Sequence, residues 1–163
     1  MKLRLTLLFI LLISSINSIN AQEYKRALGL RLGYPFSVNG KLFLNQSKAI
    51  EGNLAFYSNS SYSQSSIGLA LQVHRPLSTD ELDGFNWYYG GGVLVGSWNY
   101  RWQSDDPNYF YGLQGFLGIE YTFKDVPLNM ALDWSPVFSI NGYAGFFRFQ
   151  RGALILRYVL KYE

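Results

Sequence analysis

Apolar side chains alternate with other residues at a period of two along nearly the whole chain, and this alternation constrains the fold most strongly. In the first run, Leu28, Leu30 and Leu32 share one face, whereas Gly29 and Arg31 lie on the other. No window shows the three-and-four spacing of an amphipathic helix. The sequence therefore predicts an all-β protein.

Eight runs of this kind follow one another, separated by segments rich in turn-forming residues. Each run is long enough for a tilted membrane crossing of about 9 to 11 residues. Together they predict one eight-stranded antiparallel up-and-down β-barrel. In the last run Arg148 and Gln150 fall on the apolar face, which predicts either a β-bulge that resets the phase or the end of the apolar environment.

The composition of the two faces indicates which one points outward. One face is mostly glycine, alanine and short amides, and small residues fit a crowded lumen better than a solvated surface. The other face has no charged residue in the central part of any run, as lipid requires, because a mid-bilayer Arg or Lys costs roughly 2 to 4 kcal/mol. The sequence therefore predicts a transmembrane β-barrel with its apolar face outward.

The predicted lumenal face carries three charges of each sign. Such a balanced set can form an internal ion-pair network, and it can also be interpreted as a translocation path. Eight strands leave an interior just wide enough for side chains to fill, so we favour a lumen plugged by its own residues. The six charged residues are Arg31, Lys41, Glu51, Glu120, Asp133 and Arg157.

Residues 1–21 have the features of a cleaved secretory signal peptide: the cations Lys2 and Arg4, an apolar run at residues 5–13, and Ala21 before Gln22. The apolar run is too short to anchor the chain, because a hydrocarbon layer of about 30 Å needs about 20 helical residues. We expect export, followed by one domain at residues 22–163.

Composition excludes several classes of function. Without Lys2 and Arg4 the predicted mature chain has 12 basic and 11 acidic residues, so nothing in its charge favours a nucleic-acid partner. The chain has no cysteine and a single histidine, His74, which excludes disulfides and zinc sites built from cysteine or several histidines. The acidic pairs lack the spacing of a calcium cage. We expect no metal and no cofactor.

Residues 118–134 have the pattern of a strand, a tight turn and a strand. With its leader and eight alternating runs, the chain resembles the small outer-membrane β-barrels of Gram-negative bacteria, of the eight-stranded OmpA/OmpX-like kind. The resemblance covers the leader and the mature chain as a pattern and brings no catalytic motif. It implies residence in the outer membrane, contact with its lipid bilayer, and delivery by the outer-membrane insertion machinery. Members of this class typically end on an aromatic residue, whereas here Tyr162 is penultimate.

The resemblance also places the N-terminus on the periplasmic side. The outer connections are then those near Pro35 and at residues 58–66, 99–108 and 136–145. The segment 99–106 combines aromatic residues, a cation and paired acids, which suits recognition of an extracellular protein or glycan. An amphipathic rim beside lipid headgroups explains the same residues and is the simpler interpretation. The candidate contact residues are Tyr100, Trp102, Asp105 and Asp106.

We therefore expect a structural or surface-interaction protein, with a role in adhesion or binding, and no enzymatic activity. The alternative is a secreted or periplasmic soluble β-barrel that carries a small apolar ligand, whose cavity Leu69, Leu71, Leu117 and Ile119 would line. A less favoured alternative is an outer-membrane hydrolase with His74 as its base. No Gly-x-Ser-x-Gly nucleophile motif is present, and we expect His74 to be a strand-end residue at the membrane interface.

Overall fold

The computed structural model describes residues 24–77, 84–100, 108–140, 147–148 and 151–162. The predicted signal peptide lies outside these ranges. Within them, no helix is long and apolar enough to cross a membrane. The described chain forms ten β-segments: β1 (Tyr24–Gly33), β2 (Phe36–Asn45), β3 (Lys48–Ser58), β4 (Tyr62–Pro76), β5 (Phe85–Tyr100), β6 (Asn108–Thr122), β7 (Leu128–Trp134), β8 (Val137–Ser139), β9 (Phe147–Arg148) and β10 (Gly152–Tyr162).

These segments close into one antiparallel barrel. Each of β1 to β6 pairs with the next segment along the chain up to β7, and β6 also pairs with β8. β10 pairs with β7 on one side and with β1 on the other, which closes the sheet. β7 and β8 make the seventh barrel strand, and β9 and β10 make the eighth. The prediction of an eight-stranded antiparallel barrel is confirmed.

Pro136 explains why the seventh barrel strand consists of two segments. The register against β6 is the same before and after it, because Trp134 faces Leu117 and Val137 faces Gln114. A proline has no N–H to donate to a neighbouring strand. Its carbonyl still accepts a hydrogen bond from the amide of Gly115 at 3.0 Å, so the strand continues through the gap.

The eighth barrel strand contains the predicted irregularity. Trp134 faces Gly152, and Val137 faces Arg148. Arg148 and Gly152 are therefore four residues apart in the chain, whereas their partners Val137 and Trp134 are three residues apart. This difference of one residue is the change in register that a β-bulge produces, as the bulge interpretation predicts. Residues 149 and 150, between the two pairings, lie outside the described residues.

Two turns are tightened by asparagine side chains. Asn45 Oδ1 accepts hydrogen bonds from the amides of Ser47 and Lys48, at 3.0 and 2.9 Å. Asn59 Oδ1 accepts them from Ser61 and Tyr62, at 2.9 and 2.8 Å. Because this second turn is so short, the prediction of a polar loop over residues 58–66 is wrong. Residues 62–66 belong to β4, and the connection contains only residues 59–61.

The barrel has two ends: the terminal end, where the described chain begins and ends, and the opposite, far end. The terminal end carries Tyr24, Tyr162 and the turns at residues 46–47 and 123–127, and the far end carries the connections at residues 34–35 and 59–61. β4, β5 and β6 have 15 or 16 residues each, whereas β1, β2 and β3 have 10 or 11.

The outward face of the strands is a belt of exposed apolar side chains. Leu69, Leu71 and Leu117 are 57%, 63% and 50% exposed, and Ile119 is also exposed. The soluble-carrier alternative requires these four side chains to line a cavity, and the structure instead places all four on the outer surface. Further members of the belt are Leu28, Leu30, Leu32, Val38, Leu42, Leu54, Ile67, Val93, Val95, Leu113, Leu132 and Leu154.

Candidate functional site in the barrel lumen

Four charged side chains from four different strands form a closed ring of ion pairs in the lumen. Lys41 Nζ lies 3.0 Å from Glu120 Oε2 and 3.5 Å from Glu51 Oε2. Arg157 Nη2 donates to Glu51 Oε2 at 2.8 Å, and its Nη1 lies 3.6 Å from Glu120 Oε2. These side chains have essentially no exposed surface, so each charge is compensated inside the barrel and not by water.

Amide side chains complete the hydrogen bonding of this ring. Arg157 donates through Nε to Asn39 Oδ1 and through Nη1 to Asn129 Oδ1, the latter at 2.9 Å. Asn39 Nδ2 donates to Asn53 Oδ1 at 2.7 Å, and Asn53 Nδ2 donates to Glu51 Oε1 at 3.2 Å. The chain of donors therefore leads from the guanidinium back to the carboxylate that pairs with it. Buried charges need this kind of saturation, because each unpaired charge costs several kcal/mol.

A second ion pair lies beside the ring. Arg31 Nη1 and Nη2 donate to Asp133 Oδ2 and Oδ1, at 2.7 and 2.6 Å, in the bidentate geometry that favours guanidinium–carboxylate pairs. Arg31 Nη2 also donates to Ser135 Oγ at 2.6 Å, and the Tyr88 hydroxyl donates to Asp133 Oδ2 at 3.1 Å. Lys41 Nζ lies 4.3 Å from the centroid of the Tyr88 ring, so Tyr88 contacts both groups of charges.

The structure thus brings the six charged residues singled out from the sequence into two neighbouring groups. The ring contains Lys41, Glu51, Glu120 and Arg157, and Arg31 and Asp133 form the separate pair. Each cation lies within 4 Å of a carboxylate.

Aromatic side chains fill the lumen toward the terminal end. The Tyr24 and Phe43 rings meet edge to face at 5.1 Å, and the Phe43 and His74 rings lie 4.8 Å apart. His74 stacks on Tyr88 at 4.9 Å, and its Nδ1 lies 3.1 Å from Glu120 Oε1. The expectation that His74 lies at the membrane interface is therefore wrong. Its position on the inward face of β4 places it inside the barrel, fully buried.

A second apolar cluster fills part of the lumen toward the far end. It consists of Leu94, Trp98, Phe110 and Val137, with Tyr100 packed against it. The clustering of aromatic residues toward the ends of the apolar runs predicts that Trp98 belongs to an interfacial girdle. For Trp98 this prediction is wrong, because the residue has the inward phase of β5 and is only 8% exposed.

Inward-facing glycines make room for these large rings. A Cβ atom on Gly118 would lie 2.6 Å from Tyr88 Cζ, and one on Gly96 would lie 2.5 Å from Phe110 Cζ. Both distances are far below van der Waals contact. The lumen therefore alternates large rings with residues that have no side chain, and this is how an eight-stranded barrel accommodates them.

One cavity in the described part of the lumen is small. A cavity of about 30 Å³ lies next to Arg31 and is also lined by Ser37, Asn53, Gln114 and Ser135. That volume holds about one or two water molecules, and its lining supplies the polar partners that buried water needs.

The outer belt and the lumen differ in the polarity of their side chains. Aliphatic side chains lie outside and paired charges lie inside, which is the reverse of a water-soluble protein. A closed sheet leaves no unpaired edge, so its backbone is compatible with hydrocarbon. The fold is a transmembrane β-barrel. Because the belt is the surface that contacts lipid, the lumen and the two ends are the places where any chemistry or binding would reside.

Comparisons with known proteins add a structural likeness. No protein-family model matches the sequence, and no curated protein sequence is significantly similar to it. Among solved structures, the chain is similar to the crystal structure of Neisserial surface protein A. The TM-score is 0.45 and the sequence identity is 14%, over 81% of this chain and 89% of that chain.

The candidate outer contacts are only partly described. Tyr100 lies at the end of β5, half-buried, with its ring 6.1 Å from that of Tyr62. Trp102, Asp105 and Asp106 lie outside the described residues.

Tyrosines cluster at the far end. The Tyr57 ring lies 4.7 Å from Tyr34 and 5.3 Å from Tyr62, and the Tyr34 and Tyr62 hydroxyls are hydrogen-bonded to each other. Desolvation and the hydrogen bond with the Tyr62 hydroxyl raise the pKa of Tyr34 above the usual tyrosine value.

Neither a metal site nor a route to His74 is evident in the described ranges. There, no group of three His, Asp or Glu side chains has the geometry to hold a metal ion. His74 is enclosed by the Phe43 and Tyr88 rings, by Glu120, and by Gln72, whose Oε1 lies 3.3 Å from His74 Nε2.

Sequence reasoning missed the large aromatic contribution to the lumen. Tyr24 and Tyr88 are buried there, although the alternation indicates mostly small residues and amides on the inward face. The alternation phase of each strand could have predicted which aromatic side chains face the lumen. Tyr88, for example, lies two residues from the inward-facing Gly90 and therefore has the same phase.

The Arg31–Asp133 pair gives a quantitative test of the lumen. Arg31→Met leaves the Asp133 carboxylate buried without its cation, so we expect the free energy of unfolding to fall by about 3 to 5 kcal/mol. The double variant Arg31→Met/Asp133→Leu removes both charges, and we expect it to recover most of that loss. Urea unfolding in lipid vesicles, followed by tryptophan fluorescence, measures both values.

Arg26→Met is the matched control, because Arg26 is an exposed arginine of the same strand. Its effect should stay within about 0.5 kcal/mol. Equal losses in the single and double variants would contradict the assignment of Arg31 and Asp133 as a mutually compensating pair.

Proposed function

We propose that this chain is an integral outer-membrane protein whose lumen is closed by its own side chains and which acts at its outer end in adhesion or binding. The observation that carries the proposal is the combination of a lipid-facing apolar belt with a filled, charge-paired lumen. Such a barrel is a rigid scaffold that spans the membrane and displays loops.

Three layers support closure of the lumen. The Tyr24–Phe43–His74 rings fill the terminal end, the ion-pair ring fills the middle, and the cluster around Trp98 fills part of the far end. The cavity beside Arg31, within the described residues, has room for one or two water molecules. A hydrated ion would have to break the Lys41–Glu120 and Arg157–Glu51 pairs in order to pass.

The surroundings of His74 support a non-enzymatic role. A general base must be within hydrogen-bond reach of the substrate atom that it deprotonates. His74 is fully buried between two rings and lies against Glu120, so the described residues leave no path to it for a lipid or peptide bond. Its position suits a packing role better than catalysis.

The proposed partners follow from the two surfaces. The belt contacts the lipid bilayer, and the outer-membrane insertion machinery delivers the barrel there. At the far end, the tyrosines around Tyr57 and Tyr100, with Trp102 and the acidic pair Asp105 and Asp106 of the adjoining connection, form the proposed contact surface for an extracellular protein or glycan.

Conductance tests the closed lumen. The purified folded protein in a planar bilayer should show no large steady current, because side chains occupy the whole cross-section at the ion-pair ring. A porin reconstituted in the same way is the positive control. A stable opening on the nanosiemens scale would overturn the plugged lumen.

Surface display tests the proposed location and orientation. An epitope tag inserted after Asp106 should be detected by antibody on intact cells, because the connection between β5 and β6 lies at the far end. The same tag inserted after Asp125, in the turn at the terminal end, should be detected only after the outer membrane is permeabilised.

Both tagged proteins must first show heat-dependent mobility on gels, which demonstrates a closed barrel, and must resist alkaline extraction from membranes. Detection of the Asp125 tag alone on intact cells would reverse the proposed orientation. Release of either folded protein by alkali would contradict residence in the membrane.

A further inference from the structure

A row of four residues crosses the outer surface of β3, β4, β5 and β6 near the far end. Phe56 lies directly opposite Ser65, Ser65 opposite Ser97, and Ser97 opposite Tyr109. The two central residues are small and the two flanking residues are large rings. We call the resulting depression the rim slot.

The rim slot has a polar floor and aromatic walls. Ser65 Oγ and Ser97 Oγ lie 3.3 Å apart, and the Phe56 and Tyr109 side chains are 56% and 69% exposed. Three interstrand spacings separate the walls, which is roughly 14 Å between their backbones. A groove of about 480 Å³ follows this depression, and a second groove of about 350 Å³ continues it toward the far end.

The slot is amphipathic along the strand direction. The row below it, toward the terminal end, consists of Leu54, Ile67 and Val95, which belong to the apolar belt. The row above it carries hydroxyl and amide groups: Ser58, Ser63 and Asn99. Successive rows on one face are about 7 Å apart, so the change from hydrocarbon to hydrogen-bonding groups takes place within the length of a lipid headgroup.

The polar end of the slot carries no formal charge among the described residues that line it. Asn99 Oδ1 is buried there and has no hydrogen-bond partner among the described residues. An unsatisfied carbonyl oxygen requires a donor, and leaving it without one costs about 1 to 3 kcal/mol. A hydroxyl group supplies that donor, whereas a phosphate presents acceptors and would need a cation that these lining residues do not provide.

We propose that the rim slot binds one membrane lipid with an uncharged, hydroxyl-bearing headgroup such as a sugar. The acyl chain lies along Leu54, Ile67 and Val95. The headgroup enters between Phe56 and Tyr109, whose rings contact its apolar C–H faces, and its hydroxyls hydrogen-bond to the serines and donate to Asn99 Oδ1.

We favour a membrane lipid as the ligand because the slot is continuous with the lipid-facing belt. The lower end of the slot is the belt itself, so the molecules that reach it without crossing water are components of the bilayer. The site goes beyond the proposed surface function. It requires the barrel to be embedded in lipid and does not depend on what the loops bind.

Native mass spectrometry of the folded barrel in detergent tests the site. Monogalactosyl diacylglycerol is the probe, and phosphatidylglycerol with the same acyl chains is the charged comparison. The wild-type protein should retain one galactolipid and should bind phosphatidylglycerol more weakly. Ser97→Leu fills the floor and removes a hydroxyl, so it should weaken galactolipid binding about tenfold.

Gly52→Leu is the matched control, because Gly52 faces the same outer surface in β3 and a Cβ there meets nothing within 4 Å. It should leave galactolipid binding unchanged. Asn99→Leu is a second variant that removes the buried acceptor without filling the floor, and it should also weaken binding. Heat-dependent mobility on gels verifies that each variant is folded before it is measured.

Equal retention of the two lipids would overturn the headgroup assignment. Equal loss in Ser97→Leu and Gly52→Leu, no retained lipid, or a dimer that only Ser97→Leu dissociates would each overturn the lipid site. Because binding is measured on the folded barrel in detergent, any of these results leaves the surface-display test of the proposed function unaffected.

Discussion

The pairing of charges inside the closed sheet is the interaction on which the rest of this structure depends. Lys41 and Glu51 come from the neighbouring strands β2 and β3, whereas Glu120 and Arg157 come from β6 and β10. Their ion pairs therefore connect one hairpin to two strands that are distant from it in sequence. A buried charge without its partner costs several kcal/mol, so a register error in any one of these strands would be penalised. The network therefore helps to specify the register of the barrel.

This specification explains why the outer surface can be so uniform. Lipid contributes little that distinguishes one aliphatic side chain from another, so Leu, Ile and Val on the belt provide compatibility with hydrocarbon and not a particular register. The inward face provides the register through ion pairs and through the close fit of Tyr88 over Gly118 and of Phe110 over Gly96.

Much of this fold could be predicted from the sequence, because a strand period of two is a local property. The runs around Leu28 and Leu132, and even the irregularity before Gly152, are visible in the pattern of residues. The sequence also predicts which charged side chains face the lumen, but it does not predict which of them form ion pairs with each other. Whether Arg31 pairs with Asp133 or with Glu120 depends on stagger around the barrel, which no single strand reveals.

The errors have the same origin. Trp98 and His74 lie near strand ends, where aromatic and amphipathic residues in barrels commonly occupy the interface, and only their phase relative to Leu94 and Gln72 shows that they point inward. The length of the β3–β4 connection was overestimated because a serine-rich sequence is typical of a loop. On β4 the outward-facing serines of that stretch, Ser63 and Ser65, form part of the outer surface of a strand.

Quenching of single-tryptophan variants by lipids with brominated acyl chains tests the inside-out arrangement most directly. Trp134 is an outward-facing residue of the belt and Trp98 is buried in the lumen, so each can serve as the only tryptophan while the others are replaced by phenylalanine. The structure predicts strong quenching of Trp134 and weak quenching of Trp98 in the same vesicles. Equal quenching of the two, or quenching of Trp98 alone, would contradict it.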